Sequence, residues 1–175
     1  MKKNILIGVI LMSICIVCAA LISGVNLFTK PIIDENNITK ENNLCKKIFK
    51  NYDNAKETIT DGFSSDEITK LVIACDNSNE VLGYIYTVSG KNAYGEITLL
   101  VGINTNKELV SVEFMTNGQS FSSETANHVK NNYVAGITNS DVDNIDTACG
   151  ATFGAKLVKE LVGQAFTDVA TREAA

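Results

Sequence analysis

The chain has 175 residues, which allows one domain of ordinary size with an appendage and leaves too little for two full cores. From Lys30 onward it holds all 20 acidic residues and 13 of the 15 basic ones, so the formal charge of that part is −7. Such a surface repels nucleic acid, and no cluster of basic residues with interleaved aromatics opposes this conclusion.

An uncharged apolar stretch runs from Asn4 to Thr29. As a helix it would reach roughly 39 Å, more than the ~30 Å hydrocarbon core of a bilayer. A cleavable signal peptide is the alternative, because Lys2 and Lys3 precede the stretch, but the stretch is longer than the usual apolar region of such signals. The two lysines favour a cytoplasmic N-terminus, which places residues after about Lys30 on the outer side of the cell membrane.

We therefore divide the chain into residues 1–30, a cytoplasmic N-terminus with a transmembrane anchor, and residues 31–175, an extracytoplasmic domain. Pro31 is expected to end or bend the emerging helix. A polar connection and then a short helix near Glu41–Phe49 should follow.

Four short runs rich in β-branched and aromatic residues lie between Ile68 and Met115, and turn residues separate them. Connections this short predict an antiparallel meander of four strands. We expect a helix over residues 122–134, with Ser122 or Ser123 as its N-cap, and then a polar loop. Apolar residues at a spacing of four from Ala151 onward predict a last helix docked on the sheet, so the fold class is α+β.

The five cysteines suggest no metal site, since His128 is the only histidine and nothing pairs with the cysteines at zinc-site spacing. Cys15 and Cys18 fall inside the apolar stretch. Of the other three, Cys45 and Cys75 could form a disulfide, although an odd number leaves one thiol over.

The segment "DTACGATFGAK", residues 146–156, comes directly before the last helix. Unpaired backbone N–H groups and the positive end of the helix dipole stabilise an anion at a helix start. Gly150 and Ala151 leave room for a phosphate, and the hydroxyl of Thr152 would lie beside it. A plain capping turn explains the same residues, so spacing alone does not select a phosphate.

The segment resembles the flavinylation motif of the FMN-binding domain family, which is an Asp, two variable positions, a Ser or Thr, and then Gly-Ala-Thr. The matching positions are Asp146, Cys149, Gly150, Ala151 and Thr152. The resemblance implies that Thr152 carries FMN through a phosphoester bond and that the other four positions belong to the cofactor site. Cys149 stands where the family usually has Ser or Thr.

The resemblance extends to "VNLFTKPII" and to "NAYGEITLLVGINTNKELVSVEF". Family members with this layout are the G subunit of the Rnf complex, an ion-translocating ferredoxin:NAD oxidoreductase, and the C subunit of the sodium-pumping NADH:quinone reductase. The compact length favours the Rnf subunit. The segment at 117–128 lacks the Glu-Thr-Pro-Gly-Leu-Gly sequence that typically contacts the flavin in this family.

The resemblance implies an electron-carrying subunit of a membrane-bound oxidoreductase, with no substrate site and no catalytic residues of its own. A flavin transferase would move FMN from FAD onto Thr152 in a magnesium-dependent step. The expected partners are that transferase and the other subunits of the complex, notably its second flavinylated membrane subunit. The implied location is the cell membrane, crossed once.

Candidate contacts for the flavin ring are Tyr84, Tyr86, Tyr94 and the loop at 116–126, although packing explains the tyrosines equally well. Two other functions remain open. One is an extracytoplasmic adhesion or assembly module without flavin, and the other is a thiol redox protein that uses Cys149, for which no partner cysteine lies close in sequence.

Overall fold

The computed structural model describes residues 2–173, and the side chains of residues 6–172. The elements follow in the order α1 (Lys2–Ile48), β1 (Asn54–Ile59), β2 (Ile68–Cys75), β3 (Val81–Asn92), β4 (Gly95–Asn104), β5 (Leu109–Asn117), α2 (Ser122–Asn132), α3 (Asn139–Asn144) and α4 (Thr152–Glu173). An apolar helix followed by an antiparallel sheet with helices confirms the predicted α+β class.

Helix α1 is longer than expected, because it continues through Pro31 to Ile48. The polar connection and the separate short helix expected near Glu41–Phe49 are therefore wrong. A proline inside a helix removes one N–H donor, so only the carbonyl one turn earlier, that of Leu27, loses its partner. Residues 32–48 contain no glycine and no second proline, so no other strong helix breaker follows.

Length and composition allow α1 to cross a membrane over Leu6–Ile48, and no other helix among the described residues meets this test. A signal sequence near an N-terminus would meet it as well. The chain divides into two compact units between Lys40 and Glu41, inside α1. The boundary expected between residues 30 and 31 stays a prediction.

The sheet has the order β1-β2-β3-β4-β5, and every neighbouring pair is antiparallel. The predicted four-stranded meander is confirmed as β2 to β5. The prediction missed β1, an edge strand with the sequence NAKETI whose residues are exposed up to the half-buried Ile59. No apolar alternation marks such a strand, and charged side chains are typical of a sheet edge.

The two faces of the sheet carry different cores. On one face, Val158, Leu161 and Val162 of α4 are buried against strand residues such as Tyr86 and Val101. On the other face, the end of α1 packs on the sheet through Cys45, Ile48 and Phe49, which are buried with Val72, Ala74, Ile85 and Leu100. Successive strand residues alternate between these cores, as the period of two requires.

The helices between sheet and α4 differ from the prediction in detail. Helix α2 begins at Ser122 with Phe121 as N-cap and without a side-chain cap, so the predicted serine cap is wrong. The segment expected to be a polar loop contains α3, which has the buried Val142 and a capping box in which Asp141 Oδ2 accepts a hydrogen bond of 2.8 Å from the Thr138 N–H.

The cysteines that the sequence left open are free thiols in the structure. Cys45 and Cys75 are both buried, and Cys149 is half-buried in the turn before α4.

Candidate functional site

The turn before α4 is ordered by its own hydrogen bonds. Asp146 Oδ1 accepts a bond of 2.8 Å from the Ala148 N–H, and the Cys149 N–H donates to the Thr147 carbonyl at 2.9 Å. The hydroxyl of Thr152, the first residue of α4, donates to the Cys149 carbonyl at 2.8 Å. This turn therefore holds the threonine hydroxyl at the start of the helix.

A cavity of about 270 Å³ opens beside this helix start. It is lined by Tyr94, Gln119, Phe121, Thr125, Gly150, Ala151, Thr152, Phe153 and Gly154. Among the predicted site residues, Gly150, Ala151 and Thr152 thus lie together on its wall. Asp146 and Cys149 support the turn behind the wall and do not line the cavity.

Three segments far apart in sequence meet at the cavity. The β3–β4 turn brings Tyr94, the β5–α2 loop and the start of α2 bring Gln119, Phe121 and Thr125, and the segment at 150–154, where α4 begins, brings the rest. Gly95 has a φ of 139°, and a side chain there would overlap the carbonyl oxygen of Gly118, so glycine is required where the turn and the loop touch.

Two side-chain amides, those of the buried Gln119 and the half-buried Asn92, join these segments. Gln119 Nε2 donates to the Gly95 carbonyl at 2.7 Å and to Asn92 Oδ1 at 3.1 Å. Asn92 Nδ2 in turn donates to the Phe153 carbonyl at 3.1 Å. The β3–β4 turn, the β5–α2 loop and the first turn of α4 therefore hold one another in place.

Helix α2 closes the floor of the cavity where it meets α4. Thr125 is fully buried, and its hydroxyl donates to the Phe121 carbonyl at 2.9 Å. A Cβ atom added to Gly154 would lie 2.5 Å from Thr125 Oγ1. Only glycine lets the two helices approach this closely.

Aromatic side chains surround the mouth of the cavity. Tyr94, Phe121 and Phe153 are 43%, 55% and 59% exposed, and the rings of Tyr94 and Phe153 lie 5.0 Å apart. From Glu41 to Arg172, the only other large apolar side chain exposed to this degree is Val134. An exposed apolar patch on a soluble domain marks a place where something binds.

No charged side chain lines the cavity. An anion there would be held by the backbone N–H groups and the dipole of α4, whose first turn contains no acidic residue. The buried His128 lies near enough to feel the turn: burial lowers its pKa, and the negative charge of Asp146 partly opposes that shift. Burial outweighs the charge of Asp146, so the pKa of the imidazole is lowered and the ring is neutral above that lowered value.

Only some of the residues predicted to contact the flavin ring lie at this cavity. Tyr94 lines the cavity, whereas Tyr84 and Tyr86 line a second cavity of about 480 Å³ beside Arg172. The loop at 116–126 does reach the site, through Gln119, Phe121 and Thr125. Phe153 was not predicted; its position directly after Thr152 is the only signal that the sequence offers.

Two family models match the chain. The RnfG N-terminal region matches residues 1–48, and the FMN-binding domain matches residues 93–167, which include every residue that lines the cavity. No curated protein matches the chain. The RnfG match implies a place in the Rnf complex and, together with the apolar α1, indicates a protein that crosses the membrane once. These two matches, in this order along the chain, agree with the resemblance to the FMN-binding domain family and to its RnfG subunit.

Proposed function

We propose that this chain is an electron-carrying subunit of an ion-translocating Rnf-type oxidoreductase and that it holds FMN through a phosphoester bond to Thr152. One observation carries the proposal. The Thr152 hydroxyl lies on the wall of an aromatic-rimmed cavity at a helix start, inside the segment that matches the FMN-binding domain.

The residues present fit a phosphate linked to a planar ring. The phosphate would lie against the first N–H groups of α4, where Gly150 carries no side chain to exclude it. The ring would lie among Tyr94, Phe121 and Phe153, since aromatic side chains stack on flat conjugated systems. A cavity of about 270 Å³ is just below the usual range of ligand pockets, roughly 300–1,000 Å³, so part of the ring would stay open to a partner.

Attachment needs a second enzyme. The Thr152 oxygen would bond to the phosphorus of the FMN half of FAD, AMP would leave, and the hydroxyl proton would pass to a base. The cavity lining contains no carboxylate, imidazole or amine, so the flavin transferase and its magnesium ion would supply that base and the charge stabilisation. Thr152 must also give up its bond to the Cys149 carbonyl.

Asp146 and Cys149 have supporting roles in this proposal. The Asp146 carboxylate orders the turn through the Ala148 N–H and is exposed, so it is also open to the transferase. Cys149 contributes its carbonyl, which a serine or threonine would present equally well. This explains how the turn tolerates a cysteine where the family usually has a hydroxyl.

When bound, the flavin would accept and release electrons, and this chain would hold it, shield it and set its distance from the next redox centre. We place the domain outside the cytoplasm on the charge of Lys2 and Lys3. The second flavinylated membrane subunit of the complex is the expected exchange partner. The RnfG match over residues 1–48 supports this complex over the sodium-pumping quinone reductase.

The test is to express the full chain together with a flavin transferase and to measure intact mass and in-gel flavin fluorescence. We expect one FMN per chain, and none in Thr152→Ala. Thr147→Ala is the matched control, because Thr147 lies in the same turn but does not line the cavity, and it should be flavinylated normally. A wild-type chain without FMN, in cells whose other acceptors are loaded, would refute the proposal and favour the assembly module.

A further inference from the structure

We infer that Lys159 is a positioning residue for FMN attachment, because its ammonium group fastens the end of α3 to α4 and thereby fixes the turn that presents Thr152. This inference rests on the proposed function, but its test can fail independently of it.

The contact joins the two sides of the turn. Lys159 Nζ donates to the Asp143 carbonyl at 2.7 Å and to the Ile145 carbonyl at 3.0 Å. Ile145 is the residue directly before Asp146. Lys159 itself lies on α4, about two helical turns after Thr152 and so on the same side of the helix. The turn at 146–151 is thus held at its beginning by the bond from Lys159 to Ile145 and at its end by α4, which begins at Thr152.

The ammonium group of Lys159 pairs with carbonyls at the end of α3 that have no partner within the helix. The last carbonyls of a helix have no partner within it and carry the negative end of its dipole, so a cation there is favourable. Bonds from an ammonium group are stronger than those between neutral groups. With 6 residues, α3 is too short to be stable alone, and it depends on its capping box, on the buried Val142 and on this clamp.

The clamp reaches the acceptor through a short series of contacts. Fixing Ile145 fixes Asp146, whose carboxylate holds the Ala148 N–H. The carbonyl of Cys149, the residue after Ala148, accepts the hydrogen bond from the Thr152 hydroxyl. Loss of the two bonds from Lys159 would therefore loosen the carboxylate and the hydroxyl together, while the core beneath α4 stays buried.

The experiment uses the full chain in detergent with purified flavin transferase, FAD and magnesium. The rate of FMN attachment is followed by intact mass, well below the unfolding temperature of each variant. Lys159→Met, which keeps an unbranched side chain but has no donor, should react about tenfold more slowly, since small displacements of reacting groups have effects of this size or larger. Lys159→Arg, which keeps charge and donors, should recover most of the rate.

Lys156→Met is the matched control, because Lys156 is an exposed lysine on the same helix. It should react at the wild-type rate. Equal slowing of both Met variants would mean that the transferase recognises the positive charge of lysines on α4, and this would overturn the inference. So would an unaffected Lys159→Met or an Arg variant as slow as the Met variant. If the wild type itself takes no FMN on Thr152, the proposed function fails instead.

Hydrogen exchange tests the positioning without any flavin. In Lys159→Met the amides of Ala148 and Cys149 should exchange faster than in the wild type, while that of Leu161 in the core of α4 stays protected. Unchanged exchange in the turn would show that Lys159 does not hold it, and loss of protection at Leu161 would show a general loss of folding. Either result contradicts a positioning role.

Discussion

Two Gly→Ala substitutions in the same helix should have opposite effects on stability. Gly154 and Gly163 both lie within α4. A Cβ atom at Gly154 would lie 2.5 Å from Thr125 Oγ1 and 3.4 Å from Gln119 Oε1, whereas a Cβ atom at Gly163 has nothing within 4 Å. The same change therefore meets a buried contact at one site and open space at the other.

The magnitudes follow from two competing effects. Alanine is favoured over glycine inside a helix by about 1 kcal/mol, and this gain applies at both positions. Overpacking a tight contact costs about 1–3 kcal/mol, and Thr125 cannot move easily because it is fully buried and bonded to the Phe121 carbonyl. We expect Gly154→Ala to destabilise the domain by about 1 kcal/mol and Gly163→Ala to stabilise it by about 1 kcal/mol, which corresponds to shifts of about 3 °C in the unfolding temperature for a chain of this size.

The assay is urea unfolding of the full chain in detergent, followed by tyrosine fluorescence because the chain has no tryptophan. Thr125→Ala should be partly compensated by Gly154→Ala, since the smaller side chain leaves space for the methyl group, and a double-mutant cycle measures this coupling. If Gly154→Ala stabilises the domain as Gly163→Ala does, the close contact between α2 and α4 does not control this site.

Two further predictions concern the end of α4 and the aromatic rim. Burial alone would raise the pKa of Asp168, but hydrogen bonds from Arg172 at 2.6 Å and from the Ser64 N–H at 2.7 Å outweigh it and hold the pKa below its usual value. The ionised Asp168 therefore stabilises the fold above pH ~4, and this contribution is lost as the pH falls through the lowered pKa. Asp168→Asn should lower the free energy of unfolding by about 3 kcal/mol at pH 7 and should make that free energy fall less steeply towards acid pH. An unchanged acid dependence would contradict this. Phe153→Ala should change the free energy of unfolding by less than about 0.5 kcal/mol, since the side chain is 59% exposed. The same substitution should make the attached flavin more accessible to iodide in fluorescence quenching. Equal quenching would place the flavin ring away from Phe153.

The parts of the fold that the sequence predicted are those with a strong apolar period. Strands β2 to β5 bury alternate residues on two cores, and α4 buries a stripe at a spacing of four, so their patterns are visible in the sequence. Strand β1 shows no such pattern, because its residues lie exposed at the sheet edge. The sequence analysis missed helix α3 because the helix has only six residues and buries only Val142, so it shows no apolar period; its one local signal is the capping box at its start.

The candidate site also has one part that the sequence predicts and one part that only the fold brings together. Thr152 and its turn form one continuous segment, which a motif can identify. The opposite walls come from Tyr94 and from Gln119, which reach the cavity only because the β3–β4 turn and the β5–α2 loop lie at the same end of the strands. Pairing of this kind depends on the meander as a whole. The sequence could therefore name Tyr94 and the loop at 116–126 as candidates, but it could not separate Tyr94 from Tyr84 and Tyr86, which line another cavity.

The uncharged lining of the cavity has a consequence for the environment in which the protein works. Side chains that grip a phosphate by charge release it as ionic strength rises, because dissolved salt screens them. Here a covalent link from Thr152 would replace that grip, and the rim of Tyr94, Phe121 and Phe153 makes contacts that salt does not weaken. Under the proposed attachment, the loaded carrier would therefore keep its prosthetic group at low and at high ionic strength alike, which would suit a domain on the outer side of the membrane, where the proposal places it.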